Sequence, residues 1–167
     1  MKQIKQSTLA VLSVIMIGCS DREFYEMPDS ATYMNPVIAA GQIVSVKLFS
    51  EEKEKRISEL NRFEIVVVRD PPHAGGDYPY RIIALPNEKI SFLENGVLID
   101  GKKIKLPPWI GYLEQRLKGA KVIGSRSINL SSEEYFVIGD NVEVAFDSRY
   151  FGPIKAESII GIIDKKL

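Results

Sequence analysis

Three groups of residues in this chain have types and spacings that could do chemistry. Asp147 and Arg149 stand two apart around Ser148, close enough for a carboxylate–guanidinium pair that would hold a loop in shape. The turn before them, Gly139-Asp140-Asn141, carries two side chains of the kind that bond main-chain amides in loops. Cys19 is the chain's single cysteine and follows Met16-Ile17-Gly18 at the end of an apolar run. It can carry a covalent modification, but a lone thiol can build neither a disulfide framework nor a thiolate metal site. The single histidine, His73, stands among Pro71, Pro72, Gly75 and Gly76, a loop composition, and cannot hold zinc alone. No metal or other cofactor is expected.

The elements that must position these residues are mostly strands. Ile43–Val46, Glu64–Val68, Tyr80–Ala84, Lys89–Phe92, Val97–Ile99, Tyr135–Ile138 and Ile159–Ile163 are short runs rich in β-branched residues. Asn95-Gly96 and Asp100-Gly101 mark tight hairpins, because both dipeptides accept positive φ. One helix is expected over Trp109–Lys118, where Trp109, Tyr112, Leu113 and Leu117 share a face. That face is either core packed on a sheet or a contact surface, and the commoner use is core.

A chain of 167 residues suits one domain. Its 22 basic and 22 acidic side chains balance, with no long block of one sign, so nucleic acid is not the expected partner. The N-terminus differs in kind. Lys2 and Lys5 precede an apolar run from Thr8 to Gly18, the length of a signal-peptide core and short of the ~20 residues of a spanning helix. The Gly18-Cys19 junction resembles a bacterial lipobox, which implies a lipid on Cys19; the other reading is a plain secretory signal or short anchor. Ser20 after the cysteine, by resemblance to lipoproteins of Gram-negative bacteria, favours the outer membrane. The expected organisation is a signal peptide over 1–19, a tether over 20–30 and a β domain over 31–167, with a variable insert at about 103–130.

The block from Gly139 to Arg149 resembles the last signature of the signal peptidase I family, membrane-bound serine peptidases that remove signal peptides from exported proteins. Met34-Asn35-Pro36 with Gly41-Gln42 resembles the family's first block. Arg62–Arg69 and Tyr80–Ile90 resemble the second and third, and Asn95–Gly101 continues in register. The resemblance implies a signal-peptidase-like fold of antiparallel β-sheets with one or two short helices. It also implies a Ser-Lys dyad, in which a desolvated neutral lysine takes the proton of the serine hydroxyl. The serine position, directly before Met34, is Tyr33. The lysine position, directly before Arg81, is Tyr80. Two supporting serine positions are Ala31 and Ala145.

Nearby groups do not replace the dyad. Thr32 is adjacent in what reads as an extended segment and would face the other way. Arg81 stays protonated and cannot serve as a base. No catalytic residue is therefore expected. The resemblance implies an inactive envelope protein, facing the periplasm or exterior, that binds an extended peptide or a protein partner. Cleft candidates are Tyr33, Met34, Pro36, Tyr80 and Arg81, with Gly139, Asp140, Asn141, Asp147, Ser148 and Arg149 as structural motif. Pro36 and Pro86 would stiffen the loops framing the cleft. The alternatives are an active signal peptidase with a non-standard site, and a purely structural adaptor of an envelope or secretion assembly.

Overall fold

Ile65-Val66-Val67-Val68 has no polar face, and the structure, a computed structural model, explains why. Val66 and Val68 point into one apolar cluster, with Tyr78, Tyr80 and Ile82; Ile65 and Val67 point into another, with Val44, Val46 and Met34. A strand covered on both faces reads as a continuous apolar run. The structure describes residues 13–15, 22–28, 32–49, 53–72, 75–94, 96–117, 122 and 126–166.

In chain order the strands and helices are β1 (Ser13–Ile15), β2 (Arg22–Glu26), β3 (Ile43–Leu48), α1 (Lys53–Ser58), β4 (Ile65–Arg69), β5 (Asp77–Ala84), β6 (Lys89–Leu93), β7 (Gly96–Ile99), β8 (Lys102–Lys103), α2 (Tyr112–Leu117), β9 (Ser127–Asn129), β10 (Glu134–Ile138), α3 (Ser148–Phe151), β11 (Ile154–Lys155) and β12 (Ile159–Lys166). The larger sheet has the order β1-β2-β3-β12-β4-β5-β10-β11, and the smaller β8-β7-β6-β9. Neighbours pair antiparallel throughout. The fold is mainly antiparallel β with short helices, as expected. The C-terminal strand β12 lies between β3 and β4, and it comes close enough there that a Cβ on Gly161 would stand 2.6 Å from the carbonyl oxygen of Lys47.

The β7–β8 turn has the expected geometry, with φ of 50° at Asp100 and 78° at Gly101. The expected helix over Trp109–Lys118 is instead a 3-10 turn, Pro108–Ile110, followed by α2 after Gly111. Ile110, Leu113 and Leu117 are buried in the cluster beneath the smaller sheet, with Phe92 and Phe136. The core reading fits for Ile110, Leu113 and Leu117, whose side chains are spent on packing.

The segment 20–30 is not simply a tether. Arg22–Glu26 is a strand paired along its length with β3, and Tyr25 and Met27 are buried. Its polar residues hid an alternation in which Tyr25 faces the core while Glu26 is exposed. Residues 13–15, inside the apolar run expected to act as a signal-peptide core, pair with β2 as an edge strand. Cys19, Ala31, His73 and Asn95 lie outside the described residues. Among the described residues, no helix is long and apolar enough to cross a membrane, and no group of His, Cys, Asp or Glu is placed to hold a metal ion.

Candidate functional site

Tyr33 sits in a 3-10 turn, Thr32–Met34, not in an extended segment. The turn is held by the motif loop. The Asn141 amide donates to the Tyr33 carbonyl at 2.9 Å, and Asn141 Nδ2 donates to the Thr32 carbonyl at 3.1 Å. Gly139 completes the contact by lacking a side chain. A Cβ there would lie 2.7 Å from the Tyr33 carbonyl oxygen and 2.5 Å from the Ala145 Cβ, closer than atoms pack.

Tyr80 reaches the same place from β5. Period two along the strand puts Tyr78 on the same face, and the Tyr33 ring lies over both, 6.1 Å from each by centroid. Such tilted pairs suit the ring quadrupoles. Tyr80 also meets Phe151 edge-on at 6.2 Å, and its hydroxyl donates to the Phe146 carbonyl at 3.1 Å. The two positions that would carry a nucleophile and a base thus meet, but as a packed aromatic cluster.

The electrostatics match that packing. Burial, followed by the neighbouring phenols Tyr80 and Tyr78, raises the pKa of Tyr33 well above the ordinary tyrosine value. Burial, followed by Asp147 and then Tyr78, does the same to Tyr80. Both phenols stay protonated at neutral pH, so neither supplies a base or an anionic nucleophile. The carboxylate that Tyr80 senses, Asp147, already accepts from Arg149 and from the Gly139 amide.

The motif residues divide the work of holding this loop. Asp147 and Arg149 form the expected ion pair, both almost fully buried, at 2.8 Å through two guanidinium nitrogens. Asp147 also caps α3 by accepting from the Arg149 amide at 3.1 Å. Arg149 also donates to the carbonyls of Val142 and Ala145. Ser148 Oγ accepts from the Val137 amide at 3.1 Å, which fastens α3 to β10.

Asp140 reaches beyond its own turn. It forms a second buried pair, with Arg81 of β5, through Nε at 2.6 Å and Nη2 at 2.5 Å. Arg81 also donates to the Phe63 carbonyl at 2.6 Å, and is 1% exposed. Arg81 is therefore a strut of the core and does not line a cleft. Met34 departs in the same way, with its side chain 0% exposed among Val44, Val46 and Ile38. Pro36 is exposed in the turn after it. Pro86 borders a different open groove, with Ile57, Leu60, Leu85 and Tyr135, whose lining includes neither Tyr33 nor Tyr80.

Sequence reasoning missed three contributors. Tyr78 was visible as the i−2 neighbour of Tyr80 on a strand. Tyr112 of α2 sits beside the Arg81–Asp140 pair, its pKa raised by burial and then by Asp140; only the folded chain brings it there. Phe146 offers its carbonyl to Tyr80 and leaves its ring half in solvent, stacked on Tyr150 at 5.4 Å, with Val144 exposed nearby in the loop.

A β-sheet scaffold of peptidase type, with two buried ion pairs bracing a tyrosine-filled site, is the class that fold and site define. The pattern of the family described as signal peptidase, peptidase S26, matches residues 1–166, and the chain belongs to that family. Among relatives, signal peptidase I V of Bacillus subtilis (strain 168) is 31% identical over 161 residues, covering 92% of each chain. Signal peptidase I of Bacillus caldolyticus is 29% identical over 140 residues, 78% of this chain and 72% of that one. A crystal structure of a signal peptidase I from Enterococcus faecalis V583 aligns with a TM-score of 0.52 at 24% identity, covering 63% of this chain and 97% of the other; it bears on the fold alone.

Proposed function

We propose that this chain is a signal-peptidase-like protein of the bacterial envelope that binds an extended peptide and does not cleave it. The observation that carries the reading is the packing of Tyr33 on Tyr80, with the Tyr80 hydroxyl committed to the Phe146 carbonyl. Acyl transfer by a dyad needs a hydroxyl beside a group that can accept its proton. Two protonated phenols, Tyr80 buried and Tyr33 partly buried, at 6.1 Å between rings do not provide that pair. Peptide recognition by an added strand needs main-chain edges and apolar contacts, and exposed Phe146, whose carbonyl holds the Tyr80 hydroxyl, offers the latter.

The test is a cleavage assay with a synthetic signal-peptide substrate on the full chain in detergent. The wild type and Tyr33→Phe are both expected at background, while both bind the peptide saturably. Robust turnover by the wild type, abolished in Tyr33→Phe, overturns the inactive reading and makes the chain a peptidase with an unusual site.

The anchor belongs to the same proposal: a lipid on Cys19 at the end of the apolar run, or that run itself. Cells fed a labelled fatty acid are expected to label the wild type and not Cys19→Ser. A Cys19→Ser protein that is still labelled and still processed removes the lipobox from the account.

A further inference from the structure

β10 pairs with β5 only from Arg81 to Ala84, so the Asp77–Tyr80 half of β5 has β4 on one side and, among the described residues, no strand on the other. The ladder says which groups face that open side. The Ile82 amide donates to the Glu64 carbonyl at 3.0 Å, and the Ile82 carbonyl accepts from the Phe63 amide at 2.9 Å. Alternation then turns Tyr80 and Tyr78 toward β4, and Pro79 and Asp77 toward the open side. Pro79 has no N–H to give. A strand added there meets an edge with a donor missing at its centre.

β2 is the reverse. The Met27 amide donates to the Gln42 carbonyl at 3.0 Å, and the Met27 carbonyl accepts from the Gly41 amide at 2.7 Å. Tyr25 and Glu23 therefore face β3, and Arg22, Phe24 and Glu26 present both N–H and C=O at the outer edge. Ser13–Ile15 are paired on that edge, Ser13 opposite Glu26 and Ile15 opposite Phe24. The strand also lies close to the tyrosine site. Tyr33 packs against both the cluster that holds Tyr25 and the one that holds Tyr78 and Tyr80. The Tyr25 phenol, raised first by burial and then by Glu23, also senses Asp77 at the start of β5.

The segment on the β2 edge belongs to the apolar run Thr8–Gly18, whose composition suits a membrane or a cleaved leader. It cannot be there and on β2 at once. We propose that β2 is the strand-accepting edge of this protein, that Ser13–Ile15 occupy it in cis, and that it takes an extended, uncharged, β-branched peptide in trans when that segment leaves. The proposal rests on the peptide-binding reading above and adds which edge binds, what chemistry it selects and what blocks it.

Ile15→Pro removes the donor opposite Phe24. In the full chain in detergent, hydrogen exchange at the Phe24 and Glu26 amides is expected to be at least tenfold faster in Ile15→Pro than in the wild type. A fluorescent peptide with the sequence of residues 11–17 is expected to bind the variant at least tenfold tighter. Ser13→Pro, with circular dichroism of both variants, guards against a misfolded protein. Unchanged exchange overturns the cis contact. Equal peptide affinity for both forms ends the block in cis while leaving peptide binding intact. Faster exchange with no peptide bound by either form overturns the trans half and the peptide-binding reading with it. Binding that rises instead in Pro79→Ile, with β2 unprotected, moves the ligand to β5.

Discussion

Asp140→Ala is expected to lower stability by about 3–5 kcal/mol, because it leaves the Arg81 guanidinium charged and without its carboxylate in the core. Arg81 and Asp140 are 1% and 0% exposed, so bulk solvent does not screen the charge left behind. The Phe63 carbonyl remains as one acceptor, which satisfies one guanidinium hydrogen and no charge. The loss should extend to α2, since Tyr112 lies against the pair. Urea denaturation measures the effect directly, and Tm should fall by roughly 2–4 °C for each kcal/mol lost in a chain of this size. The double variant Arg81→Met/Asp140→Leu separates charge from packing. It should recover most of the loss, since replacing a whole buried pair by apolar groups is far milder than breaking it. A loss under 1 kcal/mol in Asp140→Ala, or a double variant worse than the single, contradicts this account.

Asp147→Ala is expected to cost a similar amount, about 3–5 kcal/mol, with a different local signature. The substitution strands four N–H donors at once: the Gly139 amide, the Arg149 amide at the cap of α3, and Nε and Nη2 of the Arg149 guanidinium. The loop between Asn141 and Phe146 is closed by Arg149 through the carbonyls of Val142 and Ala145. Loss of Asp147 therefore loosens the loop whose Phe146 carbonyl holds the Tyr80 hydroxyl. Exchange at the Gly139 amide should become fast relative to the core of β10, and the tyrosine signal in near-ultraviolet circular dichroism should weaken. Asp147→Asn, which keeps an acceptor for Gly139 and loses the charge, should fall between the wild type and Ala. A Gly139 amide that stays protected in Asp147→Ala contradicts the role given to this carboxylate.

The sheets were legible where burial left a mark on composition. β4 is apolar on both faces because two clusters cover it, and β10 reads the same way through Tyr135, Phe136, Val137 and Ile138. β2 was not legible, since only Tyr25 among its five residues is buried and the rest look like a polar linker. Within the site, residues two apart were easier to pair than residues far apart. Asp147 with Arg149 follows from spacing; Asp140 with Arg81, 59 residues away, follows only from the way β5 passes the end of β10. The same limit explains why the motifs alone suggest a cleft position for Met34 and Arg81. A motif says which stretch approaches the site, and the turn at Thr32–Met34 decides which of its side chains turn inward.

Asn141 grips residue 33 by its carbonyl oxygen, and Gly139 clears space for that same oxygen. Every amino acid carries a carbonyl, so the scaffold's hold on this position is blind to the side chain it bears. A serine could be exchanged for a tyrosine at that point without a single clamp of the frame being lost. The architecture thus separates two kinds of information, keeping shape in the main chain and leaving the identity of the reactive group free to drift.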